Sequence, residues 1–76
     1  MMKNKAYEKI MWSVNVSALE VRKDVAEHSK VILKKGTVVE STGETRQYKK
    51  EIWIEVTTLN EPKVTGYMQV KYLSKI

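Results

Sequence analysis

The 76-residue chain has no cysteine and no phenylalanine, and only one proline, one histidine and three glycines. Without cysteine there is no disulfide framework and no thiolate metal site, and the redox compartment stays undetermined. Stability must come from apolar packing. A domain of roughly 60 residues buries only about 60% of the surface its unfolded chain exposes, so the chain has room for one small core and no second domain. No apolar run approaches the ~20 residues of a membrane span, and the first residues lack the basic, apolar, small-residue order of a secretion signal. A lone histidine with no cysteine beside it argues against a metal site and leaves His28 as an exposed loop residue.

Charge is present but dispersed. Fourteen Lys and Arg against nine Asp and Glu give a net +5. Successive stretches (1–19, 20–40, 41–60, 61–76) carry +2, +1, zero and +2. A nucleic-acid binder concentrates its cations on one stripe, because each neutralised phosphate adds to counterion release. A mildly basic surface suits an anionic cell envelope equally well.

The dominant period is two. Ile10, Trp12, Val14, Val16 and Ala18 alternate with polar residues except at Met11, which predicts a half-buried strand. Leu19 and Val21 occupy the other parity, so a bulge or bend is expected near Ala18. Residues 23–30 are polar and aperiodic and read as a long loop. Lys35-Gly36 is a turn signal before the β-branched Thr37-Val38-Val39. Residues 41–50 read as a polar connection. Residues 1–9 read as a flexible or extended segment ahead of a domain over 10–76.

Ile52-Trp53-Ile54-Glu55-Val56 is the cleanest strand. Ile52, Ile54 and Val56 share one face, and burying each is worth roughly 1.5–3 kcal/mol, so that face is expected in the core and Trp53 outside it. Asn60-Glu61-Pro62 supplies a turn. The returning strand puts Val64, Met68 and Val70 inward and Tyr67 outward. Val56 opposite Val64 would place Trp53 opposite Tyr67, and a register shifted by two would set the two aromatics diagonally on the same face.

Five short pieces, in order, carry a resemblance: Ala18-Leu19-Glu20-Val21-Arg22, Leu33-Lys34-Lys35-Gly36-Thr37, Trp53-Ile54-Glu55-Val56, Thr65-Gly66-Tyr67 and Lys71-Tyr72-Leu73-Ser74. They resemble the bacterial SH3 domain family (SH3b), whose pieces read approximately A-L-N-V-R-S-G-P, L-K-K-G-T, G-W-Y-K-V, T-G-[WY]-V and S-x-Y-L. Lys23-Asp24-Val25 stands where that family has Ser-Gly-Pro, so the first long loop must turn by other means. The resemblance implies an all-β, SH3-like barrel of five to six mostly antiparallel strands with a short 3₁₀ turn around Gln69 to Tyr72. It also implies a non-catalytic module of a larger exported hydrolase or surface protein, targeting it to peptidoglycan or cell-wall peptide outside the cell. The doubled Met1-Met2 is compatible with a start codon added to an excised piece.

On this reading the ligand groove is walled by Trp53, Tyr67 and Tyr72, beside the 23–30 loop, as SH3 folds hold extended peptides between aromatic ridges. Packing of Trp53 and Tyr67 under that loop is the competing reading. Arg22 is expected to be structural, bonding loop carbonyls or a carboxylate such as Asp24. Two other classes remain: a nucleic-acid module using Lys34, Lys35, Arg46, Tyr48, Lys49 and Lys50, which the flanking Glu44 and Glu51 disfavour, and an interaction module whose aromatics dock a neighbouring domain. Catalysis is not expected. One Asp, one His and no Cys leave no oriented nucleophile, and so small a barrel offers no deep cleft for shifting carboxylate pKa values. No cofactor is expected.

Overall fold

The computed structural model describes residues 10–76. The flexible or extended segment expected over 1–9 lies outside the described residues. Among the described residues seven strands form, all paired antiparallel: β1 (Met11–Val14), β2 (Ala18–Glu20), β3 (Ile32–Lys34), β4 (Val38–Tyr48), β5 (Glu51–Thr58), β6 (Thr65–Gln69) and β7 (Leu73–Lys75). A 3₁₀ turn over Val70–Tyr72 joins β6 to β7, where the resemblance places one. The chain is thus all-β, with a five-stranded sheet in the order β6-β5-β4-β1-β7 and a two-stranded ribbon of β2 and β3. The two sheets are tied by a backbone bridge between Arg22 and Tyr67, and the ladders do not run on into one closed barrel.

The early alternation becomes β1, where Val14 is buried and Trp12 half-buried. A bend at Val16-Ser17 then changes the phase, leaving Ala18 exposed and Leu19 buried, as the parity switch predicts. Val21 and inward residues of every strand but β3 meet in one core: Val14, Leu19, Val21, Val39, Ile54, Val56, Met68 and Leu73, with Leu33 of β3 partly buried against it. Val64 and Val70 pack at its edge.

Two expectations are corrected. Residues 41–50 are not a connection: β4 runs through to Tyr48 and pairs with β5 in two stretches. Thr42, Gly43 and Glu44 lie opposite Glu55 alone, a bulge that Gly43 accommodates with φ 103°. The outer half of the β4–β5 hairpin projects beyond the core. Its polar sequence therefore reflects solvent on the strand, not absence of a strand. For the same reason Ile52, expected in the core beside Ile54 and Val56, is 47% exposed.

The β5–β6 register is the shifted one. Trp53 faces Gln69, Glu55 faces Tyr67 and Val56 faces Gly66. Thr58, rather than Val56, meets Val64, through the Thr58 N–H to Val64 carbonyl bond (2.9 Å) and the Val64 N–H to Thr58 Oγ1 bond (2.8 Å). Gly66 falls where Arg22 crosses the sheet. A Cβ there would lie 2.7 Å from the Arg22 carbonyl oxygen and 2.8 Å from Val21 Cγ1. A shift of two preserves side-chain parity, so the faces assigned from sequence survive it.

Candidate functional site

The face of β4–β5–β6 opposite the core carries Tyr48, Arg46, Trp53 and Tyr67. The long loop between β2 and β3 folds onto it. Val25, Trp53 and Tyr67 form a second, separate buried cluster with Tyr48 at its margin. Trp53 is 5% exposed and Tyr67 6%. The packing reading of the two aromatics therefore describes most of their surface: they are the floor beneath the loop, not free-standing ridges. The buried Trp53 indole N–H has no acceptor among the described residues.

Hydrogen bonds inside the loop, which has neither Gly nor Pro, shape its turn. The Asp24 carboxylate accepts from the Ala26 N–H (3.3 Å), and the Asp24 carbonyl accepts from the Glu27 N–H (2.9 Å), an aspartate-built turn that needs no glycine. Val21 N–H to the Val31 carbonyl (2.9 Å) closes the base. Ser29 Oγ donates to the Val21 carbonyl (2.6 Å) and accepts from the Val31 N–H (2.9 Å).

Arg22 is the hinge-pin of the loop. Its Nη1 donates to the Val25 carbonyl (2.7 Å) and its Nε to Glu20 Oε1 (3.1 Å), while its guanidinium lies over the Trp53 ring, 4.7 Å from the centroid. The structural role expected of Arg22 holds, with Glu20 in place of Asp24 as the carboxylate. Glu20 also accepts from the Ser29 N–H. Partial burial opposes its charged form, but the bonds from Ser29, Arg22 and His28 outweigh that, and the carboxyl titrates below its usual 4.5.

His28 is exposed, its side chain 82% accessible. Its Nδ1 lies 3.1 Å from Glu20 Oε1 and 3.2 Å from Arg22 Nη2. Unprotonated, that nitrogen accepts from Arg22. Protonated, it donates to Glu20.

Between this loop and the β4–β5 tip runs a groove of about 310 Å³, lined by Arg22, Ala26 and His28 on one side and by Tyr48, Lys49, Glu51, Trp53 and Gln69 on the other. Of the three expected site residues only Trp53 lines it. Tyr67 lies under Arg46, whose guanidinium is 5.1 Å from its ring centroid. Tyr72 packs at the edge of the main core with Lys71 Nζ 5.1 Å from its ring, and Lys71 pairs with Glu51 at 3.0 Å. Sequence reading set the 23–30 loop, and with it Ala26 and His28, beside the groove, but missed Gln69 and the role of Tyr48 and Lys49 in one wall with Trp53. The signal for Tyr48 was available, since it shares parity with Arg46 on a strand that looked like a loop.

Among the described residues no group of three or more His, Cys, Asp or Glu side chains is arranged to hold a metal ion. No helix there is long and apolar enough to cross a membrane. Comparison with protein-family models, with curated proteins and with solved structures gives no match.

Proposed function

We propose that this domain is an SH3-like barrel acting as a non-catalytic binding module, which holds an extended peptide between the 21–31 loop and the β4–β5 tip and so attaches a larger exported protein to the cell wall. The observation that carries the reading is the groove itself. It has aromatic and cationic side chains on its walls, Tyr48, Trp53, Arg22 and Lys49, and lies between a long first loop and a hairpin tip. The order of elements is consistent with such a barrel: a long loop between β2 and β3, three meandering strands, and a 3₁₀ turn before a last strand that returns to β1. The five ordered sequence pieces support the cell-wall assignment by resemblance. A shallow groove of this kind binds weakly as a single copy, and affinity would come from repetition in the parent protein.

The test is retention on insoluble peptidoglycan sacculi at low and moderate salt, comparing the wild type with Ala26→Trp. Ala26 is exposed and lines the groove, so an indole there fills the groove without touching the core. Retention of the wild type that survives salt and is lost in the folded Ala26→Trp variant is the expected result. Equal retention of the two would move the binding surface elsewhere, and no retention of the wild type would overturn wall targeting for those sacculi.

A further inference from the structure

The groove has a sign. Arg22 is paired with Glu20, and Glu51 with Lys71. Lys49 is left with no carboxylate partner among the described residues, its ammonium 5.4 Å from the centroid of the Tyr48 ring. The loop carboxylates do not offset it: Asp24 turns back onto the Ala26 N–H, and neither Asp24 nor Glu27 lines the groove. His28, on the opposite wall, has its Nδ1 engaged with Glu20 and Arg22.

A second observation concerns the backbone. Lys49 and Lys50 form the two-residue turn between the paired Tyr48 and Glu51, and both have positive φ, 51° and 68°. Asn-Gly is the favoured pair for such a turn, because L residues with larger side chains disfavour the left-handed region. Two lysines in succession are a poor choice for turn formation alone. Departures of this kind concentrate at binding sites, where the side chain is needed more than the conformation is disfavoured.

We infer that the groove selects anionic peptides: an acidic side chain or a terminal carboxylate pairs with Lys49 at the hairpin tip, while the peptide backbone lies along Tyr48 toward Ala26 and His28. This rests on the peptide-groove reading above and names the chemistry that groove takes. Lys49 is the residue that sets the sign, and Tyr48 is the platform that holds its stem.

The experiment is a titration of the ¹⁵N-labelled domain, followed by amide shifts, with three N-acetylated, C-amidated hexapeptides differing only at two central positions (Glu-Glu, Gln-Gln or Lys-Lys). A single-stranded oligothymidylate serves as a fourth probe. The Glu peptide is expected to move the amides of Ala26, His28, Tyr48 and Lys49, and to bind more tightly than the Gln peptide by about two- to fivefold, the range of one exposed ion pair. That margin should vanish in Lys49→Asn, which tolerates the left-handed turn and removes the charge. Equal affinity for the Glu and Gln peptides at the same amides would overturn the anionic selectivity and leave the groove reading standing. No peptide moving those amides would overturn the groove reading itself. Tighter binding of the oligothymidylate there, with steep salt dependence, would overturn peptide selectivity in favour of a phosphate chain.

Discussion

The Arg22 guanidinium lies over the Trp53 ring, 4.7 Å from its centroid, while the same guanidinium donates to the Val25 carbonyl and to Glu20. One side chain thereby fixes the loop to the sheet and covers the aromatic that the sequence offers as a ligand platform. The outer face of this hairpin is a second core, closed by a cation.

Trp53→Ala should consequently act on stability before it acts on binding. Removing a buried indole costs about 3–5 kcal/mol, a large share of the ~5–15 kcal/mol that holds a domain together. Thermal melting by circular dichroism should show a strongly lowered midpoint or no folded baseline. A midpoint close to wild type would mean that Trp53 is not packed as described.

Arg22→Lys should not rescue Arg22→Ala. An ammonium cannot reach the Val25 carbonyl and Glu20 in one planar fork while covering a ring. Both variants should lose about 1–3 kcal/mol, the scale of hydrogen bonds to a charged group. Urea unfolding with a common slope is the measurement. Recovery of wild-type stability by Lys would reduce the role of Arg22 to its charge.

Acid should loosen the loop through Glu20. Its folded carboxyl is held below 4.5 by Ser29, Arg22 and His28 against the opposing effect of burial. A depressed carboxylate contributes stability that is present above the unfolded value and is lost as pH falls through the folded one. The wild type should therefore lose stability on passing downward from about pH 4.5, and Glu20→Gln should be less stable at neutral pH with a flatter acid limb. Parallel acid limbs for the two proteins would remove Glu20 from the account.

Gly66→Ala should destabilise although residue 66 sits in a regular strand. The added methyl would meet the Arg22 carbonyl oxygen at 2.7 Å, and backbone cannot move aside as a side-chain tip can. Overpacking of this kind costs about 1–3 kcal/mol. At Gly36 nothing lies within 4 Å of a new methyl and the cost is conformational, from φ 90°, so the two alanine variants fail for different reasons. Hydrogen exchange separates them: Gly66→Ala should deprotect the Arg22 and Tyr67 amides, and Gly36→Ala should not.

Replacing Lys49-Lys50 by Asn-Gly should stabilise the fold by about 0.5–2 kcal/mol, because the turn then has residues suited to its positive φ values. The same change should weaken retention of the acidic hexapeptide. A gain in melting temperature with unchanged peptide affinity would separate the turn from the site.

Alternation along 10–18 and 52–56, the turn at 60–62 and the aperiodic loop at 23–30 are all visible in the sequence, because side-chain period and turn chemistry are local properties. Parity also placed Trp53 and Tyr67 on one face, whichever register the hairpin took. Local pattern has no access to what covers a face. It missed the outer half of β4, where a polar strand in solvent looks like a loop, and it left Ile52 in a core that the hairpin outruns.

The sequence by itself determined an all-β chain whose Ile54, Val56 and Met68 point into the main core; the resemblance placed the 3₁₀ turn near residue 70, and the second buried cluster came only with the tertiary structure. Only the tertiary structure decided that Arg22 caps Trp53, that Tyr72 belongs to the main core rather than the groove, and that Tyr48 and Lys49 face Ala26 and His28. The first joins residues 31 positions apart and the last residues 20 to 23 apart. They depend on how a loop lies on a sheet, where the bulge at Thr42–Glu44 and the close approach at Gly66 set the geometry, and no short-range period encodes that.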